Sequence, residues 1–310
     1  MVSIMATSSK SPRKVMLTAF EVAKEVLDDY SCRYSRKTFT QPQLFACLVL
    51  KRFMKLDYRG VVALLDDCTN LTQAIGLSRV PSHSALHKAE QRLLKIDVVR
   101  ALLNGSVEAM FGKRKQIRFA AADSTGLEAG HTSHYFIRRR SRETNHWQTT
   151  TYRRFPKLNI ICDTDSHLIL SIYTSRGPKP DVNELAYLLN DLPDCVYVRH
   201  LLADAGYDSE FNHTHARDGH GILTTIPATI GRPSSKPPTG KYRRLMSQTL
   251  ERRDYYGQRW QSETVHSMIK RNQGSAIRAA TYWPQQREMR LAALTHNFAI
   301  LLVEEGFYGA

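Results

Sequence analysis

Four polar side chains recur at a helical spacing late in the sequence. Tyr256, Arg259, Glu263 and Lys270 lie at offsets of 0, 3, 7 and 14 within the run YYGQRWQSETVHSMIKR. Since each residue of an α-helix turns by about 100°, the four side chains fall within a stripe of roughly 60°. A carboxylate between an arginine and a lysine is suited to holding a metal ion beside a phosphate. The alternative is a solvated helix face on which Arg259 and Glu263 form an ordinary i,i+4 ion pair.

Two aspartates lie where apolar segments with the character of buried strands meet a turn. Asp123 stands in FAAADSTG and Asp204 in HLLADAGYD, and a glycine follows each within three residues. Carboxylates at the carboxyl ends of strands in an open α/β sheet occupy the crevice where ligands bind. With Glu263 they would form a three-carboxylate cluster, whose hard oxygen ligands favour Mg²⁺ or Mn²⁺. The alternative is that each aspartate is a turn or helix-cap residue.

The charge balance favours the metal hypothesis. The 310 residues include 44 Lys and Arg against 29 Asp and Glu, a net charge of +15. An excess of this size indicates a polyanionic partner, most simply nucleic acid. Two divalent ions about 3.5–4 Å apart would clamp the attacking and leaving oxygens of a phosphodiester displacement.

The sequence divides into two parts of different character. Residues 1–112 repeat apolar residues at spacings of three and four, which predicts an all-helical N-terminal domain. Residues 113–310 combine a predicted strand ending near Asp123, a hairpin with its turn at 163–166, and strands alternating with helices. This pattern predicts an α/β domain with a mixed sheet. A helix is expected over 255–271, and a further strand over 221–229.

These segments together resemble the catalytic boxes of bacterial insertion-sequence transposases of the DDE class. The resemblance is carried by AADSTG around Asp123, DAGYD around Asp204 and the ungapped spacing Y-(2)-R-(3)-E-(6)-K, and it covers roughly residues 116–302. It implies a ribonuclease H-like mixed sheet flanked by helices, two Mg²⁺ or Mn²⁺ ions, and cutting and rejoining of DNA at the ends of a mobile element. Only 58 residues separate Asp204 from Glu263, too few for the large β-rich insertion of some relatives.

The resemblance also assigns roles to individual residues and to partners. It implies that Asp123, Asp204 and Glu263 are the catalytic metal ligands, and that Tyr256, Arg259 and Lys270 contact DNA phosphates or a flipped end base. The expected partners are double-stranded DNA, as element ends and target, and a second copy of the chain in a homodimer on DNA. The helical N-terminal domain resembles the leader domain of such enzymes and is expected to bind DNA ends.

A basic segment at 136–157 is a further candidate for DNA contact. It carries seven Arg and Lys against one Glu, interleaved with aromatic residues. Arginines contact phosphates and stack on bases, so DNA-binding roles are predicted for Arg138, Arg139, Arg140, Arg153 and Arg154. The alternative is a solvated hairpin with spare charge.

Two other functions remain compatible with these residues: a ribonuclease H-like nuclease or resolvase without strand transfer, and a DNA-binding protein that has lost catalysis. Intact carboxylates at all three positions argue against the second, because a binder has no use for clustered like charges. The first residues lack the apolar core of a signal peptide, and the longest apolar run, 44–50, is too short to span a bilayer. We therefore expect a bacterial cytoplasmic, nucleoid-associated protein with no membrane partner.

Overall fold

The computed structural model describes residues 8–129, 134–136, 151–228, 238–249 and 254–301, with only the backbone described at 134–136, 151–153 and 248–249. The N-terminal part is helical, as the apolar spacing predicted. Its helices are α1 (Pro12–Val26), α2 (Gln41–Phe53), α3 (Tyr58–Asp67), α4 (Thr69–Ala74), α5 (His83–Leu93) and α6 (Ile96–Phe111). Hydroxyl side chains fix several of their starts: Thr40 forms a capping box with Gln43 on α2, and Ser82 caps α5.

A mixed sheet follows. In chain order the strands are β1 (Lys115–Gly126), β2 (Glu128–Ala129), β3 (His134–Phe136), β4 (Thr151–Arg153), β5 (Phe155–Asp163), β6 (Ile169–Gly177), β7 (Val196–Ala203), β8 (Leu223–Thr225) and β9 (Ala276–Ile277). The main sheet has the order β6-β5-β1-β7-β8, in which β1 runs antiparallel to β5 and parallel to β7. The remaining helices are α7 (Leu185–Asn190), α8 (Glu210–Thr214), α9 (Lys241–Thr249), α10 (Gln261–Gln273) and α11 (Tyr282–Ile300). This five-stranded mixed sheet flanked by helices, preceded by a helical N-terminal part, confirms the expected α/β fold class. Its assignment to the ribonuclease H-like folds stays a prediction.

The helical part and the sheet share one apolar core. Phe45 of α2 packs edge-on against Phe298 of α11 with ring centroids 5.8 Å apart. The buried Asn297 side chain links the two layers, because it accepts from the backbone N–H of Ile169 and donates to the Ser106 hydroxyl. The change from helix to strand falls after α6, as expected. The division into domains at 112/113 stays a prediction.

Three predicted elements differ in extent from the structure. β1 continues past Asp123 to Gly126, because its pairing with β5 goes on after its pairing with β7 has ended. The strand expected over 221–229 is reduced to β8, three residues long. The helix expected over 255–271 is a 3₁₀ segment, Asp254–Trp260, followed by α10. No helix in the described part of the chain has the length and apolar character of a membrane span.

Candidate active site

Asp123 and Asp204 lie side by side at the ends of neighbouring strands. The last paired residues of β1 and β7 are Ala122 and Ala203, both fully buried, and each aspartate comes next in its chain. Because the strands are parallel, both carboxylates leave the sheet at the same edge. Asp123 Oδ1 accepts a hydrogen bond from the Ser124 N–H at 2.8 Å. The parallel register therefore places the two predicted aspartates together.

The turn after β7 is built around Asp204. Its Oδ1 accepts from the Gly206 N–H at 2.9 Å and caps the 3₁₀ turn Ala205–Tyr207. A Cβ atom at position 206 would lie 3.0 Å from that same oxygen, so a larger residue in DAGYD would press on the Asp204 carboxylate. Tyr207 is fully buried and anchors the turn beneath the sheet edge. Asp204 is thus a cap residue, as the alternative hypothesis supposed, but one whose carboxylate lies beside a second carboxylate.

The 3₁₀ segment and α10 bring the later residues to the same edge. In a 3₁₀ helix residues three apart eclipse each other, so Tyr256 and Arg259 still share a face although the segment is not α-helical. The Tyr256 hydroxyl donates to the Ala203 carbonyl at 3.2 Å, directly before Asp204. Arg259 Nη2 donates to Glu263 Oε1 at 2.8 Å. The structure therefore brings Tyr256, Arg259 and Glu263 to the two aspartates.

Lys270 lies two turns further along α10 and faces the same space. A cavity of about 340 Å³ is lined by Asp123, Glu263 and Lys270, with Ser124, Thr125, His266, Ser267 and Arg271 completing the wall. Two carboxylates and two cationic side chains on one cavity can hold a cation and a phosphate together. Asp204 does not line this cavity; it follows β7 at the same sheet edge as Asp123.

The pKa of Asp123 reflects its buried position and its charged neighbours. Burial raises the pKa of its carboxyl to about 6, a hydrogen bond from the Ser124 N–H lowers it, the Asp204 charge raises it, Arg259 lowers it and Glu263 raises it. Burial is therefore the main cause, and two like charges act in the same direction. Both other predicted carboxylates are close enough to Asp123 to influence its ionisation.

The carboxylates do not form a closed ligand cluster. Among the described residues, no group of three or more His, Cys, Asp or Glu side chains is placed to hold a metal ion. The Glu263 side chain is 57% exposed and turned toward Arg259, and mutual repulsion favours such separation of like charges. The donor set nevertheless fits a hard divalent cation, because all three groups offer carboxylate oxygens.

One residue of the site was missed in the sequence analysis. His266 lies one turn after Glu263 on α10, almost fully buried, with Nε2 3.9 Å from Asp123 Oδ2. Burial lowers the pKa of its imidazole to about 3, so the ring is neutral at pH 7 and adds no charge beside Asp123. The i+3 spacing from Glu263 was the available signal, but a histidine among apolar residues reads as core.

The basic segment lies largely outside the described residues. β3 and β4 pair antiparallel, as expected for the two arms of a hairpin. Arg138, Arg139 and Arg140 fall in the gap between them, and the Arg153 side chain is likewise outside the described part. Arg154 is described and exposed. DNA contact by these five arginines stays a prediction.

A family comparison decides what this arrangement belongs to. The model of a family described as "Transposase DDE domain" matches residues 114–298, well over half of the chain. The chain belongs to the DDE transposase family. It is therefore an enzyme, a DDE-type DNA transposase. Enzymes of this family generally use divalent metal ions.

Two further comparisons add little. Among solved structures, a piggyBac transposase synaptic complex with hairpin DNA has 10% sequence identity, a TM-score of 0.43, and coverage of 93% of this chain and 71% of that chain. At these values the likeness carries no conclusion about the site of this DDE transposase. No curated protein matches the sequence.

Proposed function

We propose that Asp123, Asp204 and Glu263 are the catalytic carboxylates of this transposase and that they hold two divalent ions, Mg²⁺ or Mn²⁺. The observation that carries the proposal is the parallel register of β1 and β7, which sets Asp123 beside Asp204 within electrostatic reach of Glu263. Divalent ions at these oxygens supply charge stabilisation to the attacking and leaving oxygens of a phosphodiester. In this proposal the three carboxylates only bind the two ions, and the protein forms no covalent bond to the DNA.

The cationic and aromatic neighbours act on the DNA in this proposal. Arg259 and Lys270 bind strand phosphates beside the carboxylates, and Tyr256 is held by the Ala203 carbonyl, where it orients the strand end. Their spacing supports membership in the insertion-sequence group with the Tyr-Arg-Glu-Lys signature, whose substrates are the terminal repeats of a bacterial element. The reaction is then strand hydrolysis followed by transfer of the freed 3′-hydroxyl to target DNA.

Two ends must be cut and joined together, so we place a homodimer on DNA, with the protein in the bacterial cytoplasm among the nucleoid DNA. Light scattering of the chain with and without duplexes carrying the element ends tests this assembly. A strictly monomeric species that is active on paired ends contradicts the homodimer and leaves the catalytic assignment untouched.

A Glu263→Gln variant tests the catalytic assignment. A carboxylate ligand matters chiefly in the transition state, so cleavage of end DNA in Mg²⁺ should fall by at least about a hundredfold while DNA affinity in EDTA stays within about twofold. The matched control is Glu25→Gln, an exposed residue on α1, which should leave both quantities unchanged. Cleavage by Glu263→Gln at the parental rate would reduce Glu263 to the partner of a surface ion pair.

A further inference from the structure

A second cavity lies where the N-terminal helices meet the end of the catalytic fold. It measures about 620 Å³ and is bounded by α2, α3 and α5 on one side and by the end of α10, β9 and α11 on the other. No residue lines both this cavity and the one at Asp123. Its charged lining comprises five cationic side chains, Lys51, Arg52, Lys55, Arg278 and Arg287, and three acidic ones, Asp57, Glu90 and Glu288.

The acidic groups of this cavity are already engaged. Glu90 pairs with Lys51 Nζ at 2.5 Å, and Glu288 pairs with Arg52 Nη1 at 2.9 Å. Glu288 also accepts from the backbone N–H groups of Arg278 and Ala279. Asp57 caps α3 by accepting from a backbone N–H. Five positive charges against three negative ones leave an excess of two positive charges around the cavity.

Two guanidinium groups on the lining have unused donors. Arg52 is 7% exposed, and its Nε and Nη1 donate to Gln273 and Glu288. Its Nη2 is buried and has no hydrogen-bond partner in the described part of the chain. The same holds for Nε of Arg287 on α11. Burying an unpaired cationic donor costs free energy, and both unpaired donors belong to side chains that line this cavity.

We propose that this cavity binds a phosphate group. Guanidinium groups match tetrahedral oxyanions through paired N–H donors, and Arg52, Arg278 and Arg287 present three of them to one cavity. Lys55 adds an exposed ammonium. The phosphate comes either from the DNA backbone or from a free phosphate compound. The proposal that the phosphate belongs to DNA rests on the proposed function, whereas the proposal that the cavity binds phosphate does not.

Calorimetric titration with inorganic phosphate, at an ionic strength fixed with chloride, tests the site. Arg287→Gln and Lys55→Gln should each weaken phosphate binding about tenfold, the loss expected for one charge-assisted hydrogen bond. Arg36→Gln removes the same charge from an exposed position outside the cavity lining and should leave the affinity unchanged. Arg287→Lys keeps the positive charge but lacks the paired N–H donors of a guanidinium. Its phosphate affinity should lie between those of the parent and of Arg287→Gln.

Equal phosphate affinity in the parent, Arg287→Gln and Lys55→Gln overturns the proposal, as does phosphate binding no stronger than chloride binding. The source follows from duplex DNA binding at several salt concentrations. If Arg287→Gln also lowers the slope of log K against log salt by about one phosphate, the ligand is DNA; an unchanged slope assigns the site to free phosphate. No cleavage is measured, so failure of the catalytic assignment would leave this result standing.

Discussion

Arg259 Nη2 lies 2.8 Å from Glu263 Oε1, across the junction between the 3₁₀ segment and α10. This is the i,i+4 ion pair expected of a solvated helix face. It also lies at the edge where Asp123 and Asp204 leave the sheet. The pair is therefore compatible with both hypotheses, the surface ion pair and the metal site. Without a cation Arg259 balances the charge of Glu263, whereas a divalent ion bound to the carboxylates would compete with Arg259 for Glu263.

Replacing Arg259 with alanine should separate these roles. The Glu263 side chain is 57% exposed, and exposed ion pairs stabilise a fold by under about 1 kcal/mol. We therefore expect the free energy of unfolding in urea to change by less than about 1 kcal/mol, while DNA binding weakens about tenfold if Arg259 holds a phosphate. Unchanged DNA affinity would leave Arg259 with only its ion pair.

Asp123 should make stability depend on pH in a metal-free buffer. Its pKa is about 6 in the folded state against an ordinary 3.8, so between these values the native state binds more protons than the unfolded chain. Stability contributed by this group is lost as pH rises through that window. Asp123→Asn should therefore be more stable than the parent at pH 7 in EDTA, by at most about 3 kcal/mol.

The gain from Asp123→Asn should vanish below about pH 4, where the carboxyl is protonated in both states. Urea unfolding of parent and variant from pH 4 to 7 measures the difference. A difference that is constant with pH would show that the carboxylate is not destabilised by its surroundings. Added Mg²⁺ should stabilise the parent more than the variant, because ligand binding to the native state raises the free energy of unfolding.

Asp208 should stabilise the packing of α9 through its contacts with Arg243. Its carboxylate is fully buried and accepts a bifurcated hydrogen bond from Arg243 Nε on both oxygens and a further one from Nη2 on Oδ2, at 2.7–3.0 Å. Because the Asp208 carboxylate is fully buried while the Arg243 side chain is 20% exposed, Asp208→Asn should cost about 1–3 kcal/mol, the loss expected when one charged hydrogen-bonding partner is removed. Thermal and urea unfolding measure this, with Asp66→Asn on the exposed face of α3 as the control. A loss below about 1 kcal/mol would mean that α9 is held by other contacts, such as Glu210 with the Tyr242 N–H.

The three arginines 138–140 should contribute to DNA affinity without regard to sequence. Replacing Arg138, Arg139 and Arg140 with glutamine should weaken binding to any duplex and flatten the dependence of log K on log salt by up to about three phosphates. Fluorescence anisotropy across a salt series measures the slope. A slope equal to that of the parent would assign the three charges to solvent.

The sequence determined much of the local structure of this transposase. Thr40 and Ser82 mark helix starts through their hydroxyls, and the polar residues at 163–166 mark the turn between β5 and β6. These features depend on neighbours within a few residues, so the local pattern suffices. The three carboxylates could be predicted as site residues for the same reason. Asp123 and Asp204 each follow an apolar strand pattern, and Glu263 lies in a helical spacing of polar residues.

Only the tertiary structure decided how these residues meet. The Ala122–Ala203 pairing that sets Asp123 beside Asp204 joins strands about 80 residues apart, and sequence spacing does not fix such a register. The 3₁₀ start of the 255–271 segment, with Tyr256 anchored on the Ala203 carbonyl, depends on that same sheet edge. The position of His266 beside Asp123 likewise depends on contacts between residues far apart in the sequence. Burial and the two neighbouring carboxylates, none of them local in sequence, raise the pKa of Asp123.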